Sequence, residues 1–213
     1  MIRFSRRTRH LASVAAGALL LGGCAARRVD VDTISAPPPR DVAARPGRPG
    51  FVVAAPPGGR DGITDAMATE IARRTGFGLV VAGGGSMAQD AYARRVLEAA
   101  QGPLRFYAEI HGSDRTECAG QIEIATVGVD RELALRLRAL AELIRDAHLR
   151  ANREIQRLDV SIAPADAASG AILKPQRALQ IDVPRCTRRD WREAYTSILA
   201  DFLAQDVTLP DGR

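Results

Sequence analysis

The chain has 213 residues, 46% of them hydrophobic, which is enough to bury the core of one ordinary domain. Four of its 30 basic residues stand in the first nine positions, where there is no acidic residue, and this leaves 26 basic against 25 acidic residues in the rest of the chain. The formal net charge of +5 therefore does not indicate a nucleic-acid partner, and none is expected.

The amino-terminal segment has the layout of an export signal. A basic start is followed by an apolar stretch from Leu11 to Leu21, which is too short to span a bilayer as a mature helix. The tetrapeptide Leu21-Gly22-Gly23-Cys24 resembles the bacterial lipobox, in which the cysteine becomes the lipidated first residue. We predict that residues 1–23 are a lipoprotein signal peptide and that lipidated Cys24 anchors the chain in a membrane. An ordinary signal cut nearby and a twin-arginine signal are the alternatives.

This signal predicts a location in the cell envelope, with the folded part in the periplasm or otherwise outside the cytoplasmic membrane. Residues 24–50 are rich in proline and arginine and nearly devoid of large apolar residues, so we expect a disordered tether. The folded domain is expected at 51–205, followed by a tail at 206–213.

Two periodicities alternate within this domain. Runs of β-branched and apolar residues predict strands at 51–55, 78–82, 104–110, 121–127, 158–163 and 177–183. Helical spacing predicts helices at 65–75, 88–101, 130–151 and 188–205. Such alternation is typical of a three-layer α/β fold, with a mainly parallel or mixed sheet and helices on both faces.

Two of the predicted helices carry clear apolar stripes, and one has clear end signals. The helix at 65–75 should begin at a Thr64 cap and end at Gly76. The stripe of the third helix has charged residues on the other face and comprises Leu133, Leu137, Leu140, Ile144 and Ala147. Core packing is expected for the stripe of the last helix, which comprises Trp191, Tyr195, Ile198, Leu199 and Phe202.

The segment "RFYAEIHGSDR" at 105–115 has an acidic residue and a histidine near the end of a predicted strand. Alternate side chains share a face of a strand, so Tyr107, Glu109 and His111 should lie on one side and the apolar residues between them on the other. Ligands in open sheets gather at the carboxyl ends of strands. A carboxylate at the position of Glu109 needs a partner, and an ion pair with Arg115 or Arg60 is the purely structural explanation.

The chain from roughly Phe51 to Phe202 resembles the N-formylglutamate amidohydrolase group, relatives of zinc carboxypeptidases and poly-gamma-glutamate hydrolases. The resemblance rests on "FVVAAPPGGRDGITDAMATEIARRTGFGLVVA", "RFYAEIHGSDR" and "QIEIATVGVDRELA". It implies that Asp61 and His111 bind zinc and that Asp182 is the catalytic base. Glu109, two residues before His111, is a further candidate catalytic carboxylate.

Arg60 and Arg115, which follow predicted strands, are candidate substrate-binding residues for an acidic amino-acid or peptide ligand. In the N-formylglutamate amidohydrolase group, however, a histidine stands where this chain has Pro57, and proline has no side-chain donor for a metal. We therefore predict a domain that keeps a ligand cleft but has lost efficient zinc-dependent hydrolysis. An active metal-dependent hydrolase of amide bonds in N-acyl amino acids or glutamyl peptides is the alternative.

Two cysteines remain beside Cys24. Cys118 and Cys186 each follow a predicted strand, and in an oxidising envelope they are candidates for a disulfide. The sequence does not show whether their backbones lie close enough.

Overall fold

Seven strands form one mixed sheet in the computed structural model, which describes residues 42–57, 62–83, 87–113, 120–164, 173 and 175–210. The strands are β1 (Ala43–Arg45), β2 (Arg48–Ala55), β3 (Phe77–Val81), β4 (Phe106–Ser113), β5 (Gln121–Val127), β6 (Asp159–Pro164) and β7 (Arg177–Pro184). The helices are α1 (Ile63–Thr75), α2 (Gln89–Ala100), α3 (Arg131–Leu149), α4 (Arg185–Asp190) and α5 (Arg192–Asp206).

The strand order across the sheet is β1-β3-β2-β4-β7-β5-β6. The central strands β3, β2, β4 and β7 are parallel to one another. β5 runs antiparallel to β7 and parallel to β6, and β1 runs antiparallel to β3. The carboxyl ends of the four central strands consequently share one edge, where ligands bind in open sheets of this class.

Each face of the sheet has its own hydrophobic core. One face packs against α1, α3 and α5 through residues such as Val53, Ile110 and Phe202. The other packs against α2 through residues such as Val52, Val96 and Tyr107. Helices on both faces of a mixed sheet confirm the predicted three-layer α/β class.

α1 begins earlier than the sequence predicts. Its N-cap is Gly62, in the left-handed conformation with φ of 63°, and Thr64 lies inside the helix and is buried. The prediction of Thr64 as the N-cap is therefore wrong. Gly62 takes the cap position instead, and a glycine adopts the left-handed conformation without a steric penalty. The carboxyl-terminal cap at Gly76, with φ of 71°, is confirmed.

The buried stripe of α3 is rotated from the predicted one. It comprises Leu133, Leu137, Ala141, Arg145 and Leu149, whereas Ala147 is exposed and Leu140 and Ile144 are only partly buried. Arg145 is buried because its guanidinium donates to the Leu158 carbonyl at 2.7 Å and to Asp146 at 2.8 Å. A charged residue with such partners is missed by a pattern that counts only apolar side chains.

The predicted last helix is two helices, with a break at Trp191 between α4 and α5. The core role of its stripe is confirmed, because Tyr195, Ile198, Leu199 and Phe202 are buried and Trp191 packs partly against the same core.

Structured chain begins before Phe51. β1 pairs with β3 through its backbone, and all three of its side chains are exposed. The sequence of β1 therefore lacks the alternation of apolar and polar residues that predicts a strand. β1 is the outermost strand on its side of the sheet, so it has a single hydrogen-bonded neighbour, β3. The rest of the predicted tether and the signal segment lie outside the described residues.

The carboxyl-terminal boundary also differs slightly. α5 continues to Asp206, which is fully buried and pairs with Arg177. None of the helices in the described ranges is long and apolar enough to cross a bilayer.

Candidate functional site

Three of the predicted site residues meet at the carboxyl ends of β4 and β7. Glu109 and His111 lie on β4, and His111 is the register partner of Asp182 on β7. Tyr107 belongs to the core on the α2 face, while Phe106, Ala108 and Ile110 belong to the core on the opposite face. The predicted alternation along β4 is thus confirmed, and it brings Glu109, His111 and Asp182 to one side of the sheet.

A chain of hydrogen bonds connects the α2 core with this edge. The hydroxyl of Tyr92, on α2, lies 3.1 Å from the hydroxyl of Tyr107. The Tyr107 hydroxyl donates to Oε1 of Glu109, and Oε2 of Glu109 lies 2.9 Å from Nε2 of His111. Both carboxylate oxygens of Glu109 are therefore engaged, by a phenol on the buried side and by an imidazole on the open side.

Burial changes the acidity of the two tyrosines. Removal from water, reinforced by the negative charge of Glu109, raises the pKa of Tyr92. Burial likewise raises the pKa of Tyr107 well above its ordinary value, and the neighbouring Tyr92 and Glu109 add to the effect. Both phenols stay protonated around neutral pH, so Tyr107 can serve as a donor to Glu109.

The two tyrosines of this hydrogen-bonded chain are buried, and the two residues nearer to the strand ends are partly exposed. Tyr92 and Tyr107 are buried, the Glu109 side chain is 15% exposed, and the His111 side chain is 29% exposed. Of the four side chains in this hydrogen-bonded chain, the imidazole is the most exposed to solvent.

A second acidic residue faces Asp182 from β5. Glu123 is the register partner of Asp182, and it accepts a hydrogen bond from Nε2 of Gln121 at 3.0 Å. Nε2 of Gln180 lies 3.4 Å from Oδ2 of Asp182. The sequence does not indicate Glu123 as a site residue, because the position of β5 between β7 and β6 leaves no local pattern in the sequence.

Arg188 supports the same edge from the opposite face and was also missed. Its guanidinium is buried and donates from NH1 to the carbonyl of Val183 at 2.9 Å and to that of Ser113 at 3.4 Å. A Cβ on Gly112 would meet this nitrogen at 2.1 Å. The glycine after His111 therefore makes room for an arginine that ties the ends of β4 and β7 together.

Several predicted positions lie outside the described residues: Cys24, Arg60, Asp61, Arg115 and Cys118. Cys186, at the start of α4, is disulfide-bonded. Its pairing with Cys118 stays a prediction.

The other histidine within the described residues lies away from this cluster. His148 lies on α3, and its Nε2 is 2.7 Å from Oδ2 of Asp201 on α5. Since α3 packs on the other face of the sheet, His148 does not belong to the cluster around Glu109 and His111.

The donors of the described cluster do not by themselves fit a zinc site. A catalytic zinc ion normally has three protein ligands and an open position. The described cluster offers one imidazole, whose Nε2 already contacts Glu109, and Pro57 follows β2 without any side-chain donor. Within the described ranges, no three His, Cys, Asp or Glu side chains are arranged to hold a metal ion.

Comparison with known proteins finds likeness only among solved structures. A bacteriophage poly-gamma-glutamate hydrolase aligns with 12% identity and a TM-score of 0.49 over 79% of this chain and 87% of its own. YndL in its zinc-free apo form aligns with 14% identity and a TM-score of 0.49 over 80% of this chain and 93% of its own. The N-acetylmuramoyl-L-alanine amidase AmiC2 of Nostoc punctiforme aligns with 15% identity and a TM-score of 0.39 over 76% and 97%.

No protein-family model and no curated protein sequence matches the chain. With TM-scores below 0.5, the structural alignments do not assign the chain to a family.

Proposed function

We propose that this protein is an envelope lipoprotein whose amidohydrolase-like domain binds a ligand at the Glu109–His111–Asp182 cluster without efficient zinc-dependent hydrolysis. The observation that carries the proposal is the binding of both Glu109 oxygens, one to Tyr107 and one to His111. Two buried tyrosines and a carboxylate hold one partly exposed imidazole at the edge where ligands bind. A histidine that served only as a hydrogen-bond partner of Glu109 would not need to be exposed to solvent, whereas the His111 side chain is 29% exposed.

The loss of efficient hydrolysis is supported by the donor set. Pro57 stands where the N-formylglutamate amidohydrolase group, which this chain resembles, has a zinc-binding histidine. Losing even an outer partner of a metal ligand commonly costs about 10- to 100-fold in affinity or activity, and losing a direct ligand should cost at least that. We therefore assign no catalytic step to a metal in this domain.

The ligand class follows from the sequence around the cluster. Arg60 lies shortly after β2 in the chain and Arg115 shortly after β4, and guanidinium groups bind carboxylates bidentately. An acidic amino-acid derivative or short acidic peptide, with its carboxylate on these arginines and a polar group on His111, is the ligand that we propose.

A second candidate, an active metal-dependent amide hydrolase, is favoured by one specific contact. A carboxylate that bonds one ring nitrogen of a histidine is the usual way to orient the other nitrogen toward a metal. Glu109 stands in that relation to His111. With Nδ1 of His111 and the carboxylate of Asp61, the chain would still need a third ligand.

Zinc affinity of the full chain and of Pro57→His decides between these functions. The proposal expects at least about tenfold tighter zinc binding in Pro57→His, because the substitution restores a ligand of the resembling group. Pro56→His is the matched control, since it places the same imidazole one position away, and it should bring no gain. Tight stoichiometric zinc in the wild-type chain would favour the active hydrolase instead.

Ligand binding is tested separately from chemistry. Calorimetry with an N-acyl glutamate should show binding to the zinc-free wild-type chain and its loss in His111→Ala, with no release of free glutamate. Hydrolysis by the wild-type chain would overturn the proposed loss of activity, and unchanged binding in His111→Ala would remove the cluster from the ligand site.

The membrane anchor is a proposal of its own, which rests on the lipobox-like Leu21–Cys24 segment. Mass spectrometry of the mature protein should find a lipid on an amino-terminal Cys24, and Cys24→Ala should release the protein from the membrane fraction. An unmodified amino terminus at another residue would contradict it.

A further inference from the structure

The edge of the sheet opposite to the ligand cluster contains a second cavity. It has a volume of about 190 Å³ and lies at the amino ends of β2, β4 and β7. Its lining includes Phe51, Arg105, Gln176, Arg177 and Leu209. None of these residues belongs to the cluster around His111, so the cavity calls for its own explanation.

Two arginines are held against one aromatic ring beside this cavity. The guanidinium carbon of Arg48 lies 4.1 Å from the centroid of the Phe51 ring, and that of Arg105 lies 5.4 Å from it. The ring itself is fixed by Phe77 and Phe106, whose centroids are 5.5 and 6.4 Å away. Stacking on a fixed ring limits the positions that both guanidinium groups can adopt.

These two guanidinium groups differ from their neighbour Arg177 in how they are neutralised. Arg177 donates to the buried carboxylate of Asp206, to the Asp206 carbonyl at 2.9 Å and to the Leu209 carbonyl at 3.3 Å. Across the described part of the chain, neither Arg48 nor Arg105 forms an ion pair with a carboxylate, and both are exposed. The exposed guanidinium of Arg105 therefore lines the cavity, and a second one, that of Arg48, is stacked on the Phe51 ring that forms part of the cavity wall.

We propose that this cavity, with Arg48 and Arg105, is a binding site for a phosphate group. A guanidinium offers several N–H donors in a planar fork that matches phosphate oxygens, and two positive charges suit a group that carries close to two negative ones. Gln176 also lines the cavity. Two sources present non-bridging phosphate oxygens to the site: a free phosphate anion and, with one negative charge instead of close to two, the phosphodiester of an envelope lipid headgroup.

Calorimetric titration of the full chain with inorganic phosphate at low ionic strength tests the site. Arg105→Gln and Arg48→Gln should each weaken phosphate binding by about tenfold, the usual contribution of one charge-assisted hydrogen bond. Arg94→Gln is the matched control, because Arg94 is exposed on α2 and its replacement removes the same charge at another surface. Thermal unfolding of each variant verifies that it is folded, and Arg48→Gln decides alone if Arg105→Gln does not fold.

A vesicle measurement then separates the two sources of phosphate. Any lipid anchor is common to all variants, so a difference between the Arg48→Gln/Arg105→Gln double variant and Arg94→Gln reports the cavity alone. Weaker sedimentation of the double variant with phosphatidylglycerol vesicles would assign a lipid headgroup, and equal sedimentation together with weaker phosphate binding would assign a free anion. Absence of phosphate binding in the wild type, equal loss in Arg94→Gln, or equal affinity for acetate would overturn the phosphate site.

Discussion

At the scale of single residues, Glu109 owes its position to groups that precede and follow it by two residues on the same strand. Tyr107 holds one oxygen and His111 the other, as alternation along β4 requires. The sequence predicted this face of β4 because a period of two is a local property. The contacts of Asp182 with β5 and of Arg188 with Gly112 depend on residues far apart in the chain, so no pattern within either segment indicates them.

Tyr107→Phe is expected to destabilise the domain by about 1–3 kcal/mol, because it removes the donor to a largely buried carboxylate oxygen. Tyr92→Phe should cost less, about 0.5–1.5 kcal/mol, since Tyr107 still donates to Glu109. Urea unfolding of the two variants measures both values. A larger loss in Tyr92→Phe than in Tyr107→Phe would mean that Glu109 takes its hydrogen bond elsewhere.

At the scale of elements, α3 shows which part of a helix the sequence fixes and which part it does not. Its start at Asp130, whose side chain accepts from the Leu133 amide at 2.7 Å, and its length agree with the helical spacing. Its buried face does not, because Arg145 takes a core position through hydrogen bonds to a distant carbonyl and to its neighbour Asp146. β1 was missed for a related reason, since backbone pairing with β3 defines it and its side chains are all exposed.

The corrected face of α3 gives a prediction with a matched control on the same helix. Leu137 is fully buried and Leu135 is 61% exposed. Leu137→Ala should lower the free energy of unfolding by about 2–5 kcal/mol through the cavity that it leaves. Leu135→Ala should change it by no more than about 0.5 kcal/mol. Chemical denaturation of both variants compares them directly, and similar losses would show that the helix is rotated from the face described above.

At the scale of the whole molecule, all three tyrosines of the chain are buried, and each belongs to one of the two cores. Burial raises the pKa of Tyr92, Tyr107 and Tyr195 above the ordinary value of about 10. The unfolded chain therefore releases these protons at a lower pH than the folded chain does. Their contribution to stability is complete below pH 10 and is lost as the pH rises through the raised values.

We accordingly expect alkaline unfolding to set in above about pH 10 and phenolate absorbance to appear together with loss of structure. Spectrophotometric titration alongside circular dichroism measures both transitions, and the same titration in denaturant supplies the unfolded reference. A tyrosine that ionises near pH 10 while the fold is intact would contradict the burial of at least one of the three.

The antiparallel direction of β1 determines where the preceding segment enters the domain. Ala43 pairs with Val81 at the carboxyl end of β3, so the chain arrives at the strand ends that also carry His111 rather than at the opposite ends, where the cavity beside Arg105 lies. If Cys24 is the anchor point, the 18 residues from it to residue 41 can extend over roughly 60 Å at most. The Glu109–His111–Asp182 cluster would then lie within a layer above the lipid whose depth is that reach plus the width of the strands between β1 and β7, and molecules confined to this layer are the ones it would encounter.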